Sequence, residues 1–528
     1  MREPLLASKL KLWQWAVFAA VVAAALVLRA HAVSRIFLWL DETDLFNEWV
    51  YGAHHKSLVD FALTTRNLTT LTWGWPAIVW ISARSLGGTV GAARFPTLLV
   101  NAAAVPLLFA LLYRLLAGFR SRFWPALFAA VFLVISVVQL DYAQRTYHYG
   151  ALAFTAVAVL LGHFGILHAT SDGWKPTPQL IRAIALYTAA TVFSFCAHPS
   201  AALIPAISMT VISYSALRSR IWEQRKVLLW TAAAGLLIVA AALSNVKNPK
   251  YGFRPYLADY YTPLSLSAIP KLLLHAYGLA TYQLDLFYNS ALYYPDRLNL
   301  AVLPLVLMCV FGWQLAARGK FGAEFRHLAL FAAVALLLPA ALSLVKVFPF
   351  GGVRQLLFLG PFLMAFVALG FYALRANAFA KILGIAAAGA YLIFWAVNLP
   401  RFYNERLPQY TPNEIVSAWR ENGQLPVYGR MSERELWYEL RDHPEVHVEG
   451  LSYSAKPPYL LVTTHNWIGD DRWLGGFPES LRQAGYRVTV LKQASGFHID
   501  NRLLSGSLYF PPNGFWIYKI TKIGRAHV

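Results

Sequence analysis

FPTLLVNAAAVPLLFALLY, residues 95–113, holds nineteen residues without a single Asp, Glu, Lys or Arg. About 18 to 25 consecutive apolar residues are needed to cross the hydrocarbon core of a bilayer as a helix, so this stretch reads as a membrane span. Similar runs recur at 12–28, 123–140, 150–168, 183–197, 200–217, 227–243, 300–317, 328–345, 355–374 and 382–397. The chain is therefore expected to be a polytopic α-helical membrane protein with about eleven spans. Its composition agrees: of 528 residues 58% are hydrophobic and only 14% charged, and the mean hydropathy is +0.46. A water-soluble globule of that make-up is excluded.

The net charge of +20 could suggest nucleic acid, but its placement excludes that partner. Lys and Arg gather in alternate short loops, for example Arg114, Arg120 and Arg122, then Arg218, Arg220, Arg225 and Lys226, then Arg318, Lys320 and Arg326. Positive charge marks the cytoplasmic side, which puts the N-terminus inside and, after eleven spans, the C-terminus outside. The first span lacks a small-residue cleavage site and is read as retained. Cys196 and Cys309 both fall in spans, which argues against a disulfide framework. Asn67-Leu68-Thr69 matches a glycosylation sequon, a pattern common by chance.

Residues 1–399 are expected to form the membrane domain, with outer loops at 31–94 and 244–299. Residues 400–522 change to the composition of a soluble extracytoplasmic α/β domain, with strand-like segments at 425–428, 459–464 and 486–491 and helix-like ones at 433–440 and 479–483. The final 523–528 matches one reading frame of a sequencing-library adapter and is taken as an artefactual tail. Residues 71–80, rich in Trp and broken by Gly74 and Pro76, read as an interfacial helix, because Trp favours the headgroup level.

Chemistry is expected on the outer face. Asp41 and Glu42 follow Phe37-Leu38-Trp39-Leu40, at an apolar/water boundary where partial desolvation raises a carboxylate's basicity and suits it to general-base work. The same pattern also fits an amphipathic loop whose acids face water. Other polar groups stand where spans emerge outside: Asp141, Arg145 and Tyr147, then His198, then Lys346 and Arg354. The loop 244–299 adds Lys247, Lys250 and Arg254 among many Tyr residues. These cations could meet a phosphate, although each alone also fits interfacial anchoring. No proposed span carries an Asp, Glu, Lys or Arg in its interior, which weighs against an ion-coupled transporter.

In order and topology these motifs resemble the polyprenyl-phosphate-sugar-dependent glycosyltransferases of the GT-C class, family 39-like, as in lipid A aminoarabinose transferases and protein O-mannosyltransferases. The likeness rests on Leu38-Trp39-Leu40-Asp41-Glu42, Trp75-Pro76 through Leu86-Gly87-Gly88, Ala93-Arg94-Phe95-Pro96, Arg145-Thr146-Tyr147, Ala197-His198-Pro199, and Arg354 with Gly360-Pro361. It departs where relatives carry a Glu or Lys just before the interfacial Pro and this chain has Gly74-Trp75. The resemblance implies a GT-C fold and transfer of a sugar, with inversion, from a polyprenyl-phosphate carrier to an acceptor hydroxyl on a lipid, glycan or protein. Asp41 would be the base and Glu42 its assistant. Arg145, Tyr147, His198, Lys247, Lys250, Arg254, Lys346 and Arg354 would bind substrate. No cofactor is required beyond the lipid-linked donor, no metal ligand is assigned, and metal dependence stays open. A bacterial inner membrane is the expected location. A transporter or lipid flippase, or a non-catalytic membrane scaffold, are the alternatives.

Overall fold

In the computed structural model the described residues are 10–36, 42, 45–52, 56–61, 74–119, 121–243, 261–262, 264–265, 268–284, 302–351, 354–375, 378–404, 411–429, 436, 439–450, 455–464, 481–495 and 514–522. Asp41, Lys247, Lys250, Arg254 and the tail 523–528 lie outside them. The chain divides into two compact units, one of Met1–His31 with His55–Ala396, the other of Ala32–His54 with Val397–Val528.

The first unit is helical. Its helices are α1 (Leu12–Ala30), α2 (Gly74–Ser85), α3 (Val90–Leu115), α4 (Phe123–Ile135), α5 (Val137–Ala143), α6 (Leu152–Ala169), α7 (Pro178–Ala197), α8 (Leu203–Arg218), α9 (Arg225–Leu243), α10 (Ala268–Leu284), α11 (Leu303–Ala317), α12 (Ala323–Leu344) and α13 (Gly360–Leu374). Then α14 (Ala378–Asn404) carries the chain into the second unit. Among the described residues nine helices are long and apolar enough to cross a membrane, ten if the bent pair α4–α5 is one span. The expected span at 300–317 corresponds to α11, which has only 15 residues. The break in the expected run 123–140 comes at Ser136, whose extended backbone (φ −60, ψ 114) turns α5 by 59° from α4.

Side-chain exposure sorts the helices. α6 is buried along most of its length, whereas α9 and α14 leave most of theirs uncovered, with Leu229 and Leu236 each 72% exposed and Ile382 68%. Apolar faces of that kind suit lipid. Between helices, close approach has to replace the hydrophobic effect, because lipid tails are as apolar as leucine. Small residues allow it. A Cβ on Gly312 of α11 would run into the Phe366 carbonyl of α13, and one on Gly370 of α13 would meet the Met308 carbonyl of α11. A Cβ on Gly162 of α6 would come within 2.6 Å of the Tyr187 Cα on α7.

One expectation is extended and one corrected here. The helix α2 packs against protein: Trp75 is fully buried and Trp80 only 8% exposed. Trp75 Nε1 donates to the Thr146 carbonyl at 3.0 Å, and Trp80 stacks on Phe61 at 5.7 Å. The spans are not free of charge. α1 and α3 extend past their most apolar windows, so that Arg29 and Arg94, both completely buried, are helical residues.

The second unit carries a five-stranded mixed sheet of β1 (Val427–Gly429), β2 (Val448–Gly450), β3 (Tyr459–Thr464), β4 (Tyr486–Ser495) and β5 (Gly514–Lys522) in the order β2-β1-β3-β5-β4. β1 pairs in parallel with β2 and β3, while β5 runs antiparallel to both β3 and β4. The helix α15 (Pro412–Glu421) buries Ile415, Val416 and Ala418 in a cluster with Val427, Val448, Leu460, Val462 and Ile517. Thr411 and Glu414 form its capping box, and Lys492 on β4 pairs with Glu414 at 2.9 Å. Burial pushes the Glu414 carboxyl up, but the Lys492 ammonium and the Thr411 amide outweigh it and hold the group below the usual carboxylate range.

Two outcomes follow from this packing. Gly312→Ala should cost about 1–3 kcal/mol, the ordinary range for overpacking, read as a lower Tm of the detergent-solubilised chain. A depressed carboxylate stabilises above its unfolded pKa, so the Glu414 contribution, at most about 1 kcal/mol for a largely exposed pair, should be lost as pH falls below about 4. Glu414→Gln should flatten that acid limb of the melting curve.

Candidate functional site

The site begins with a polar problem inside an apolar bundle. Arg29, in the last turn of α1, is fully buried, and its charge suits the negative end of that helix. Its Nε donates to Asn101 Oδ1 at 2.7 Å, its Nη1 to the Ala25 carbonyl and its Nη2 to the Leu133 carbonyl at 3.2 Å each. The free carbonyls at the end of α1 are met by Gln144, whose Nε2 lies 2.8 Å from the His31 oxygen and 3.0 Å from that of Arg29. Gln144 thereby fixes the turn after α5 against the end of α1.

That turn carries chemistry. Asp141 and Arg145 form a two-pronged pair, Nε to Oδ2 at 3.1 Å and Nη2 to Oδ1 at 2.9 Å, with both side chains 9% exposed. A 3-10 turn, His148–Ala151, follows and feeds into α6. His148 stacks in parallel on His198 with ring centres 4.2 Å apart, and Tyr149 lies 4.9 Å from the same His198 ring. Tyr147 and Tyr149 stack at 5.2 Å, and the Arg354 guanidinium lies over both, 5.3 Å from the first ring and 4.9 Å from the second. A guanidinium over aromatic faces is attracted by the negative face of each ring.

His198 caps the end of α7 and accepts the Ser200 amide on Nδ1 at 3.0 Å, which leaves a neutral ring's proton on Nε2. His148 is completely buried, and among the described residues neither of its ring nitrogens has a hydrogen-bond partner. A buried imidazole with both nitrogens unmet is costly in a bare protein, so it suits a ligand that brings polar atoms. The cluster can therefore present an arginine, two imidazoles and two phenol rings to an anion such as a phosphate.

Of the expected binding residues, Arg145, Tyr147, His198 and Arg354 come to one end of the bundle, at the junctions α5–α6, α7–α8 and α12–α13. Lys346 sits exposed in the turn after α12, at a left-handed backbone position (φ 56). Glu42 is described and fully buried. Sequence reading missed His148, Tyr149, Asn101, Gln139 and Gln144. The signal for the first two was the unbroken run Tyr147-His148-Tyr149 at a span end. Single amides inside apolar helices carry no comparable pattern. Among the described residues, no three His, Cys, Asp or Glu side chains gather in a way that could hold a metal ion.

In sequence, no family model and no characterised protein matches the chain. Among solved structures, ArnT from Cupriavidus metallidurans in the apo state aligns with a TM-score of 0.44 at 12% identity, over 95% of this chain and 97% of that one. The same protein bound to undecaprenyl phosphate gives 0.43 at 12% identity, over 96% and 98%. The apo oligosaccharyltransferase of Archaeoglobus fulgidus gives 0.44 at 13% identity, over 84% of this chain and 62% of that one. Similarity at this level assigns neither a family nor a residue role.

Asp141→Asn should be among the most damaging single changes in this unit. Removing one partner of a buried ion pair strands the other, at a cost of about 3–5 kcal/mol. The expected readout is a large fall in Tm, partly recovered by adding Arg145→Gln in the same chain.

Proposed function

We propose that the protein is an integral-membrane glycosyltransferase that moves a sugar from a polyprenyl-phosphate carrier to an acceptor hydroxyl at the extracytoplasmic face. The observation that carries this reading is the Arg354 guanidinium laid over Tyr147 and Tyr149 beside the stacked His148 and His198. Cations held on rings at a helix-bundle end suit a phosphate that must be bound and then released as leaving group. A lipid carrier also explains why such a site belongs to a membrane-embedded bundle.

In mechanism, Asp41 takes the proton of the acceptor hydroxyl, with Glu42 assisting. The hydroxyl oxygen attacks the anomeric carbon as the bond to the carrier phosphate breaks. The electron pair leaves with the phosphate, and the anomeric configuration inverts. Arg354 and His198 would meet the negative charge that grows on the phosphate, with Arg145, Lys346 and the 244–299 cations Lys247, Lys250 and Arg254 as further candidates. Because Arg29, Arg94 and Asp141 are buried within helices, the absence of charge no longer weighs against a transporter. Arg29 and Asp141 instead have fixed hydrogen-bonded partners, which suits a scaffold rather than a relay.

The test is transfer of labelled sugar from a panel of polyprenyl-phosphate donors in membranes holding the wild-type chain, Asp41→Asn or Arg354→Ala at matched expression. General-base catalysis contributes about 10²- to 10⁴-fold, so Asp41→Asn should fall by at least about 100-fold with carrier affinity kept. Arg354→Ala should lose carrier affinity first. No transfer from any donor by folded wild type would overturn the reading in favour of a transporter or scaffold.

A further inference from the structure

His148 and Arg354 belong to two 3-10 turns far apart in sequence, His148–Ala151 and Arg354–Leu359. We infer that Asn101 and Gln139 are positioning residues, a buried amide clasp that holds these two turns in register.

Asn101 Nδ2 donates to the Gly150 carbonyl of the first turn at 2.8 Å and to Gln139 Oε1 at 3.0 Å. Gln139 Nε2 in turn donates to the Leu357 carbonyl of the second turn at 3.4 Å. All the side chains concerned are at most 1% exposed. Short 3-10 segments have poor internal hydrogen-bond geometry, so their carbonyls need outside donors. Gln283 supplies a second one, Nε2 to the Leu356 carbonyl at 3.3 Å.

The direction of the chain is dictated by its ends. Amide oxygen and nitrogen are assigned from their partners, and here the partners leave no choice. Arg29 can only donate, so the Asn101 atom facing it at 2.7 Å must be the oxygen. The Gly150 carbonyl can only accept, so it faces the Asn101 nitrogen. That nitrogen also points at Gln139, which must answer with its oxygen and is left with its nitrogen for Leu357. Arg29 therefore polarises a chain that ends on the turn bearing Arg354.

Sterics fit the same design. A Cβ on Gly360, just beyond the second turn, would come within 2.7 Å of Gln283 Oε1 and 3.0 Å of Gln139 Nε2. Glycine there makes room for both amides. A Cβ on Gly150 would collide with Thr97 and the Tyr142 carbonyl, so the first turn is seated tightly as well.

Gln139 touches the second turn and Asn101, but the first turn only through Asn101. That separation makes the inference testable in the full-length, detergent-solubilised chain by histidine-selective NMR. The His148 signal, assigned by its loss in His148→Gln, carries the ring currents of His198 and Tyr149. It should shift in Gln139→Leu and in Asn101→Asp, which keeps the volume and the Arg29 contact but loses both donations. Gly312→Ala, a remote destabilising change, should leave it in place. A His148 signal unmoved in Gln139→Leu and Asn101→Asp overturns the clasp. The functional consequence rests on the carrier role proposed above, and undecaprenyl phosphate serves as the probe for it. Its Kd should rise about tenfold in Gln139→Leu, as expected for second-layer support. It should rise no further when Arg354→Ala is already present. If wild type does not bind the carrier while the His148 shifts appear, the clasp stands and the transferase reading fails.

Discussion

A guanidinium with no water around it constrains everything near it. Arg29 is completely buried, so its donors must be met by protein, and they are met by Asn101 and by carbonyls of α1 and α4. Those partners cannot be apolar and cannot move far. The ends of α1 and α4 and the middle of α3 are therefore tied together at one level of the bundle. Gln144 ties the turn after α5 to the same place. In lipid the usual remedy for an unmet polar group, hydration, is absent, so a buried guanidinium has to find its partners within the protein.

The helical membrane fold was legible because span length is a local property. Each of the eleven apolar runs corresponds to a helix or to the bent pair α4–α5. The count was less legible. Apolarity continues straight through Ser136, so no composition window could reveal the 59° bend there. Burial was also hard to read, since a Trp facing lipid and a Trp facing protein look alike in sequence. Trp75 is buried because Thr146, far along the chain, offers its carbonyl. In the second unit β3 was readable from its own residues, while β2, three residues long, exists because β1 offers a parallel edge.

The candidate site was legible where chemistry coincides with the end of a span. Arg145, Tyr147, His198 and Arg354 were found on that basis. Asn101 and Gln139 were not, for a physical reason: each ends on a backbone carbonyl, of Gly150 or Leu357, and any residue supplies a carbonyl. A side chain that recognises backbone leaves no complementary residue type to search for. His148 was missed because its meaning lies in what it lacks. Only the folded surroundings show an imidazole fully buried, stacked on His198, with both nitrogens unmet among the described residues.

The same network bears on which kind of membrane protein this is. Alternating access needs elements with two comparably stable arrangements. Around Arg354 the arrangement is over-determined instead. Two buried glutamines hold its turn, and Gly360 admits them without slack. A site over-determined in this way loses little entropy when an anion arrives and holds its donors still as charge develops, which is what transition-state stabilisation demands. Rigidity of that kind at the bundle end fits the proposed catalysis on a lipid-borne phosphate better than its transport.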